Sequence, residues 1–299
     1  MKKHKFSGTG VALITPFKSN KEIDYQSLEK IINHSIENGV DYIVTLGTTG
    51  ETPTLSSAEK NEIVRFTVQT VAQRIPIVVG IGGNSTSDTV HTIQKFDLQG
   101  IDGILSVAPY YNKPNQEGIY QHYKMVGEAS PLPIIAYNVP GRTGVNMTAE
   151  TTLRIAADCP NIVAVKEASG NMAQIMQILK NRPEHFLVLS GDDNLTFPML
   201  ALGADGVISV AVQAAPKNFS DMVHLALAGD FVSARTKHYQ LLDLMDALFS
   251  DGSPAGIKAA LSLSGLCENE LRLPLVPVNE KVFEVIRELN ITKLLCLKS

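Results

Sequence analysis

The chain has 299 residues, of which 44% are hydrophobic and 19% charged. This composition is typical of an ordinary globular enzyme and excludes a disordered or fibrous chain. The length suits one large domain with an appendage, or two ordinary domains. A net charge of −4 and a pI near 6.0 exclude the overall basic field that would hold a nucleic acid or an anionic membrane.

The cysteines and the N-terminal segment predict a cytoplasmic protein. Cys159, Cys267 and Cys296 are too few and too scattered for a disulfide framework or a zinc site, so reduced thiols are expected. The charged N-terminus is followed by Gly8 and Pro16, which interrupt the apolar core that a signal peptide needs. No apolar run approaches the ~20 residues that span a bilayer.

Short runs rich in Val, Ile and Leu recur along the chain, each followed by Gly, Pro, Ser or Thr. Their starts are 20 to 33 residues apart, which fits one strand, a loop and one helix. The runs are nearly continuous in apolar character, as expected of strands covered on both faces. They begin near Val11, Tyr42, Ile75, Gly103, Pro133, Ile162, Phe186 and Gly206.

Helix start signals lie between these runs. Residues 56–59 resemble a capping box that opens a helix to about Ala72, and Thr86 and Thr148 begin two more. Eight strand–helix units within residues 1–225 predict an α/β fold, a (β/α)8 TIM barrel. A doubly wound open sheet is the alternative, but it usually needs fewer strands.

The rhythm changes after residue 225. Helices are predicted at 231–249, 254–263 and 280–289, with 271–277 as extended connecting chain. No Gly/Ser-rich or Pro-rich linker precedes them. We therefore predict that residues 226–299 form a C-terminal helical region packed on the barrel.

Reacting groups of a barrel enzyme lie where the strands end. Lys166 follows the apolar run 162–165, and partial desolvation there would favour its neutral, nucleophilic amine. The alternative is an ion pair with a neighbouring acid such as Glu167. Tyr137, one strand away, could transfer protons if another hydroxyl, such as that of Thr48, bonds to its phenol. Alternatively it is a core tyrosine with a satisfied hydroxyl.

Other strand ends carry weaker signals. The hydroxyls of Thr48 and Thr49, with the N–H groups of residues 47–51, could cradle a small carboxylate. Arg142 follows a Pro-Gly turn and either binds a carboxylate or is a solvated loop residue. Residues 80–85 approximate a dinucleotide fingerprint, but Ser85 replaces its third glycine, so a tight turn is expected.

A metal site and a hydrolase site are not predicted. Asp192 and Asp193 are adjacent, so their side chains should point apart, and no histidine stands near them. The histidines of the chain show no ligand spacing. Neither a Gly-x-Ser-x-Gly motif nor a Cys/His arrangement supports hydrolysis.

Six segments, in this order and each at a predicted strand end, resemble the dihydrodipicolinate synthase family, a group of pyruvate-dependent class I aldolases and lyases. The resemblance covers nearly the whole chain, and the six segments together are very specific. They are residues 47–51, 109–112, 137–144, 165–170, 190–193 and 206–210.

The resemblance implies an imine between Lys166 and pyruvate, whose enamine form is the carbon nucleophile. Thr49 and its loop would hold the pyruvate carboxylate, and the carbonyl of Ile208 would lie against the same ligand. Tyr137 would transfer protons, at an advantage of typically ~10²–10⁴-fold. No cofactor is expected, because the covalent lysine is the electron sink.

The resemblance also implies partners. Thr48 would link the proton-transferring tyrosine to Tyr111 of a neighbouring subunit, which requires a dimer and predicts a homotetramer built as a dimer of dimers. Arg142 would bind the carboxylate of L-aspartate 4-semialdehyde. The product would cyclise to 4-hydroxy-tetrahydrodipicolinate, on the route to diaminopimelate and lysine.

Two alternatives remain at this stage. N-acetylneuraminate lyase and keto-deoxy-sugar-acid aldolases share the imine chemistry, but the sialic-acid enzymes typically carry Gly-Ser-Thr-Gly-Glu at residues 47–51 and lack the Arg-Thr-Gly that begins at Arg142. A non-catalytic carboxylate-binding barrel would not need Lys166, Tyr137 and Thr48 together.

A regulatory pocket for lysine is also implied by the resemblance, at the dimer interface of lysine-sensitive relatives. Asn84, Asp88 and Tyr110 occupy the positions of its asparagine, acid and tyrosine. Ser57 and Lys60 stand where those relatives place histidines, and Asp88 is one methylene shorter than the usual glutamate. Weak or absent inhibition by lysine is therefore expected.

Overall fold

The computed structural model describes residues 4–295 and contains a closed barrel of eight parallel strands in sequence order. This confirms the predicted (β/α)8 fold. The strands are β1 Gly8–Ala12, β2 Tyr42–Thr45, β3 Ile77–Gly80, β4 Gly103–Val107, β5 Ile134–Asn138, β6 Ile162–Glu167, β7 Leu187–Ser190 and β8 Gly206–Ser209.

Four strand starts differ slightly from the prediction: β1 begins three residues before Val11, β7 one residue after Phe186, and β3 and β5 begin after a proline. Pro76 and Pro133 lack the N–H that a ladder needs, so β3 begins at Ile77 and β5 at Ile134. The two prolines still take part through their carbonyl oxygens, which accept from the amides of Ile43 and Ile104 at 3.0 Å.

Helices surround the barrel after each strand. They are α1 Tyr25–Glu37, α2 Ser57–Val71, α3 Thr86–Lys95, α4 Gln116–Ala129, α5 Pro140–Thr143, α6 Ala149–Asp158, α7 Met172–Asn181, α8 Thr196–Ala201 and α9 Pro216–Leu227. The capping box at Ser56 is confirmed, and Thr148 caps α6. The cap of α3 is Ser85, one residue before the predicted start, because its side chain accepts from the amide of Asp88.

Aromatic rings fill the lower part of the barrel. The Tyr42 side chain extends past Gly10 to donate to the Val207 carbonyl oxygen at 3.1 Å, and a Cβ at Gly10 would lie 2.3 Å from its ring. The Phe6 ring lies 6.0 Å from that of Tyr42 and against Gly103. The C-terminal strand ends, where reacting groups are expected, therefore lie above a packed barrel interior.

The C-terminal region contains α10 Phe231–Phe249, α11 Ala255–Leu263 and α12 Glu280–Leu295. Helix α10 packs on α9, and α12 packs on α10 and α11. Helix α12 continues past the predicted end at residue 289, since no Gly or Pro follows to stop it. Helix α9, which completes the eighth barrel unit, crosses the predicted boundary at residue 225.

Within residues 4–295, no helix combines the length and the apolar character needed to cross a membrane. Cys159 and Cys267 are free thiols. Cys296 lies outside the described residues.

Candidate active site

Lys166 and Tyr137 meet at the ends of two adjacent strands. They are direct partners in the pairing of β5 with β6, and the Lys166 Nζ lies 4.4 Å from the centroid of the Tyr137 ring. Both side chains are almost fully buried. A Cβ at Gly191 would lie 3.2 Å from the Lys166 Cε, so a glycine in this motif leaves room for the lysine.

The proposed pairing of Lys166 with Glu167 is wrong, because neighbouring residues of a strand point to opposite faces. Glu167 faces away from the lysine and accepts from the Asn138 Nδ2 at 3.1 Å, the Ser169 amide at 2.8 Å and the Gln174 Nε2 at 3.2 Å. Burial raises the pKa of Glu167, and these hydrogen bonds oppose the change. This network was not predicted from the sequence, although strand alternation could have indicated it.

The loop after β2 forms a short 3-10 helix, Thr48–Gly50, in which Thr49 is buried and Thr48 exposed. The Thr15 hydroxyl donates to the Gly50 carbonyl oxygen at 2.7 Å, and the Thr52 hydroxyl lies within 2.9 Å of two further loop carbonyls. Glu51 ends the loop in the left-handed conformation, with φ of 53°. The loop is therefore held from several sides.

Asp193 stabilises the turn that follows β8. Its buried carboxylate accepts from the amides of Ala211 at 2.8 Å and Val210 at 3.3 Å, close to Ile208 in β8. Burial raises the pKa of Asp193 to about 6 and also raises that of Asp192, while the charge of Lys166 opposes both changes. Among the described residues, no group of His, Cys, Asp and Glu side chains has the arrangement of a metal site.

Tyr111 is exposed to solvent in the single chain. It has a left-handed φ of 72°, and 85% of its surface is exposed. Backbone conformations of this kind in non-glycine residues are strained and concentrate at functional sites. Within residues 4–295, no hydrogen bond joins the hydroxyls of Tyr137, Thr48 and Tyr111. One chain thus brings Lys166 and Tyr137 together but does not complete the predicted relay.

Arg142 lies in α5 and is exposed. Its Nη2 donates to the carbonyl oxygen of Ser253 over 3.4 Å, a long hydrogen bond. The turn between α10 and α11 therefore borders the arginine. This contact with the C-terminal region was not predicted from the sequence.

The predicted regulatory residues lie on two helices and in two loops. Ser57 and Lys60 are in the first turn of α2, Asp88 is in the first turn of α3, and Tyr110 follows β4. The Asn112 Nδ2 donates to the Asn84 carbonyl oxygen at 2.8 Å, which ties the Tyr110 loop to the loop before α3. Their combination into one pocket stays a prediction.

Lys166 and Tyr137 lie at the C-terminal ends of the barrel strands. The fold and this position define a (β/α)8-barrel protein with its candidate site where such enzymes carry their active sites. The profile of the dihydrodipicolinate synthetase family matches residues 5–290. The chain therefore belongs to that family.

Individual relatives agree over nearly the full length. The 4-hydroxy-tetrahydrodipicolinate synthase of Parabacteroides distasonis is 57% identical, covering 95% of this chain and 97% of its own. The crystal structure of dihydrodipicolinate synthase from Thermotoga maritima is 45% identical with a TM-score of 0.95, covering 98% of this chain and 100% of its own. The crystal structure of the chloride-inhibited dihydrodipicolinate synthase from Acinetobacter baumannii, complexed with pyruvate, is 40% identical with a TM-score of 0.92. It covers 95% of this chain and 97% of its own.

Proposed function

We propose that this chain catalyses the 4-hydroxy-tetrahydrodipicolinate synthase reaction, the condensation of pyruvate with L-aspartate 4-semialdehyde. The observation that carries the proposal is the buried Lys166 amine above the Tyr137 ring at the barrel mouth. Similarity to the Parabacteroides distasonis synthase supports the same activity. We place it in the route to diaminopimelate and lysine.

In the first half-reaction, the Lys166 Nζ attacks the ketone carbon of pyruvate, and loss of water gives an imine. The protonated imine acidifies the adjacent methyl group, and Tyr137 removes and returns protons there. The Thr49 loop holds the pyruvate carboxylate, with the Ile208 carbonyl against the same ligand. The protonated imine on Lys166 takes up the electron pair of the C–H bond and becomes the enamine, so the mechanism needs no metal or other cofactor.

In the second half-reaction, the enamine carbon attacks the aldehyde carbon of the semialdehyde, while Arg142 binds the acceptor's carboxylate. The acceptor's amino group then attacks the imine carbon, which releases Lys166 and closes the ring. Arg142 suits this role because its guanidinium is exposed and its contact with Ser253 is long.

The relay requires a second subunit. The exposure of Tyr111 and of Thr48 in the single chain supports a dimer in which Tyr111 enters the partner's site and bonds to Thr48. We propose a homotetramer built as a dimer of such dimers. A cytoplasmic location suits a biosynthetic enzyme with free thiols at Cys159 and Cys267.

The alternatives are not favoured by the comparisons. Relatives at 50% identity or more share the synthase name rather than that of a sialic-acid or sugar-acid enzyme. A non-catalytic carboxylate-binding barrel has no need of a buried lysine amine beside a tyrosine.

A coupled assay tests the activity directly. The chain is incubated with pyruvate and L-aspartate 4-semialdehyde, and product is followed through a reductase that consumes it. In the matched control N-acetylmannosamine replaces the semialdehyde, and because its product is not a substrate of that reductase, consumption of pyruvate is measured in both reactions. Turnover of the semialdehyde alone is expected, whereas turnover of the amino sugar alone would contradict the proposal.

Replacing Arg142 with alanine is expected to impair use of the semialdehyde far more than imine formation with pyruvate. Loss of a charge-assisted contact costs about 1.5–3 kcal/mol, which is roughly a 10- to 150-fold loss in kcat/KM for the semialdehyde. Arg142→Lys keeps the charge without the bidentate geometry, so its kcat/KM for the semialdehyde should lie between those of the wild type and Arg142→Ala. Equal damage to both half-reactions would instead indicate a structural role.

Lysine is expected to inhibit weakly or not at all. An ammonium at Lys60 about 5 Å from the ligand's own cation would repel it by roughly 3 kcal/mol at an effective dielectric near 20, which is about a hundredfold in affinity. Initial rates over rising L-lysine test this, with Lys60→His as the variant expected to gain sensitivity. Half-inhibition of the wild type below about 1 mM, a binding free energy of about −4 kcal/mol, would contradict the prediction.

A further inference from the structure

A buried ion pair connects the C-terminal helical region to the loop that carries Thr48 and Thr49. Lys258 in α11 and Glu51 at the end of that loop both have fully buried side chains, and the Lys258 Nζ lies 2.5 Å from the Glu51 Oε1. The same ammonium donates to the Glu270 carbonyl oxygen at 2.8 Å and lies 4.2 Å from the Phe17 ring centroid. The other Glu51 oxygen accepts from the Arg272 amide at 3.0 Å.

The polar contacts of the Lys258 ammonium and the Glu51 carboxylate are thus made with each other and with backbone groups of the protein. Burial lowers the pKa of Lys258 from its ordinary value, and the charge of Glu51 opposes that change. Helix α11 is otherwise almost entirely apolar, with the sequence Ala-Gly-Ile-Lys-Ala-Ala-Leu-Ser-Leu. A single charged residue in such a helix requires a partner, and that partner is 207 positions away in the chain.

Because Glu51 lies next to Thr48 and Thr49, the ion pair affects the conformation of the loop that carries them. Glu51 directly follows the 3-10 helix Thr48–Gly50, and its left-handed backbone sets the direction in which the chain leaves that helix. Apart from the Arg272 amide, which bonds to the Glu51 carboxylate, the loop is held by hydrogen bonds between neutral groups, from the hydroxyls of Thr15 and Thr52. Among the described residues, Lys258 supplies the one ion pair that this loop makes.

A contribution to stability is a weak explanation for the presence of both charges. A buried ion pair can often be replaced by apolar residues of similar volume without loss of stability, because the desolvation penalty offsets much of the attraction. The pair does, however, fix where Glu51 lies, because separating its charges would leave a buried charge without a partner. A geometric role is therefore the better explanation.

We propose that Lys258 is a positioning residue: its ion pair with Glu51 holds the loop so that Thr48 and Thr49 are presented at the barrel mouth, and α11 thereby contributes to pyruvate binding. This inference rests on the proposed role of the loop in holding the pyruvate carboxylate. Misplacing a binding group by 1 Å can cost ~10²-fold, so a shift of this loop should appear in the pyruvate dependence.

Two variants test the proposal. Lys258→Met removes the ammonium at similar volume, and Glu51→Gln/Lys258→Met removes both charges while the glutamine oxygen can still accept from the Arg272 amide. The matched control is Lys217→Met, which removes an exposed lysine from α9. Melting temperature is measured beside KM for pyruvate, kcat, and the pyruvate concentration that gives half-maximal trapping of the imine by borohydride.

In Lys258→Met, KM for pyruvate and the half-maximal trapping concentration should rise by about 10- to 100-fold, with a smaller fall in kcat at saturating pyruvate. The double variant should recover the melting temperature but keep the raised pyruvate requirement. If Lys258→Met does not fold, the double variant alone decides. Wild-type pyruvate dependence in either folded variant overturns the positioning role, whereas failure of the wild type to form an adduct would overturn the proposed function instead.

Discussion

Replacing Lys166 with alanine is expected to lower kcat by several orders of magnitude. The substitution removes the nucleophile and with it the covalent route, and loss of the nucleophile in a covalent enzyme costs on the order of 10⁶-fold. Lys166→Arg should be similarly inactive, although it keeps a positive charge near Asp192 and Asp193. The comparison separates the loss of chemistry from the loss of charge in the barrel mouth.

The covalent step can be observed directly. Borohydride added with pyruvate should inactivate the wild type and add one reduced pyruvyl group to the peptide that contains Lys166. Neither variant at this position should take up the label, and borohydride alone should leave the wild type active. An adduct on another lysine, such as the buried Lys258, or no adduct at all, would show that the proposed mechanism is wrong.

Replacing Tyr111 with phenylalanine is expected to lower kcat on the order of 10²-fold while the melting temperature stays near that of the wild type. Loss of a proton-transfer group accounts for the first effect. The second follows because the substitution removes one hydroxyl from a side chain that is 85% exposed in its own chain, so the packing within that chain is unchanged. Tyr110→Phe is the matched control, since this neighbour has no place in the relay.

Mixed dimers decide which subunit supplies the tyrosine. When Tyr111→Phe chains are mixed in equal amounts with Lys166→Ala chains, half of the dimers are mixed, and each holds one complete site of two. Activity should recover to about a quarter of wild type under random exchange. A Tyr111→Phe/Lys166→Ala double variant mixed with Lys166→Ala should recover none. No recovery from mixed dimers verified by mass would indicate that each site uses its own tyrosine.

Local pattern was enough to predict the barrel. Parallel strands buried on both faces are continuous apolar runs, and the loops and helices between them have characteristic lengths, so eight repeats identify the architecture without any long-range contact. Lys166 and Tyr137 were candidates for the same reason, because polar residues that end apolar strands lie at the mouth of a barrel, whereas their catalytic roles were implied by the resemblance to the family. The small shifts at β3 and β5 came from prolines, whose missing N–H groups delay the ladder.

The sequence alone did not determine which face of the sheet Lys166 and Glu167 each occupy. Glu167 was a possible partner of Lys166 until the pairing of β5 with β6 placed the lysine over Tyr137 and the glutamate against Asn138. Strand alternation would have indicated opposite faces, but the choice of face depends on register, which is a property of two strands together.

Contacts between distant segments were decided only by the tertiary structure. The pairing of Glu51 with Lys258 spans 207 positions, and the contact of Arg142 with Ser253 spans 111. Neither has a local signal, since a side chain's partner depends on how the C-terminal helices pack against the barrel. The amino-acid pattern by itself thus determined the barrel and the residues at its mouth, because those follow from period and burial. The packing of α10 and α11 against the barrel decided which groups surround those residues. A buried charge needs a partner, and that partner comes from a distant segment that only the folded chain brings close.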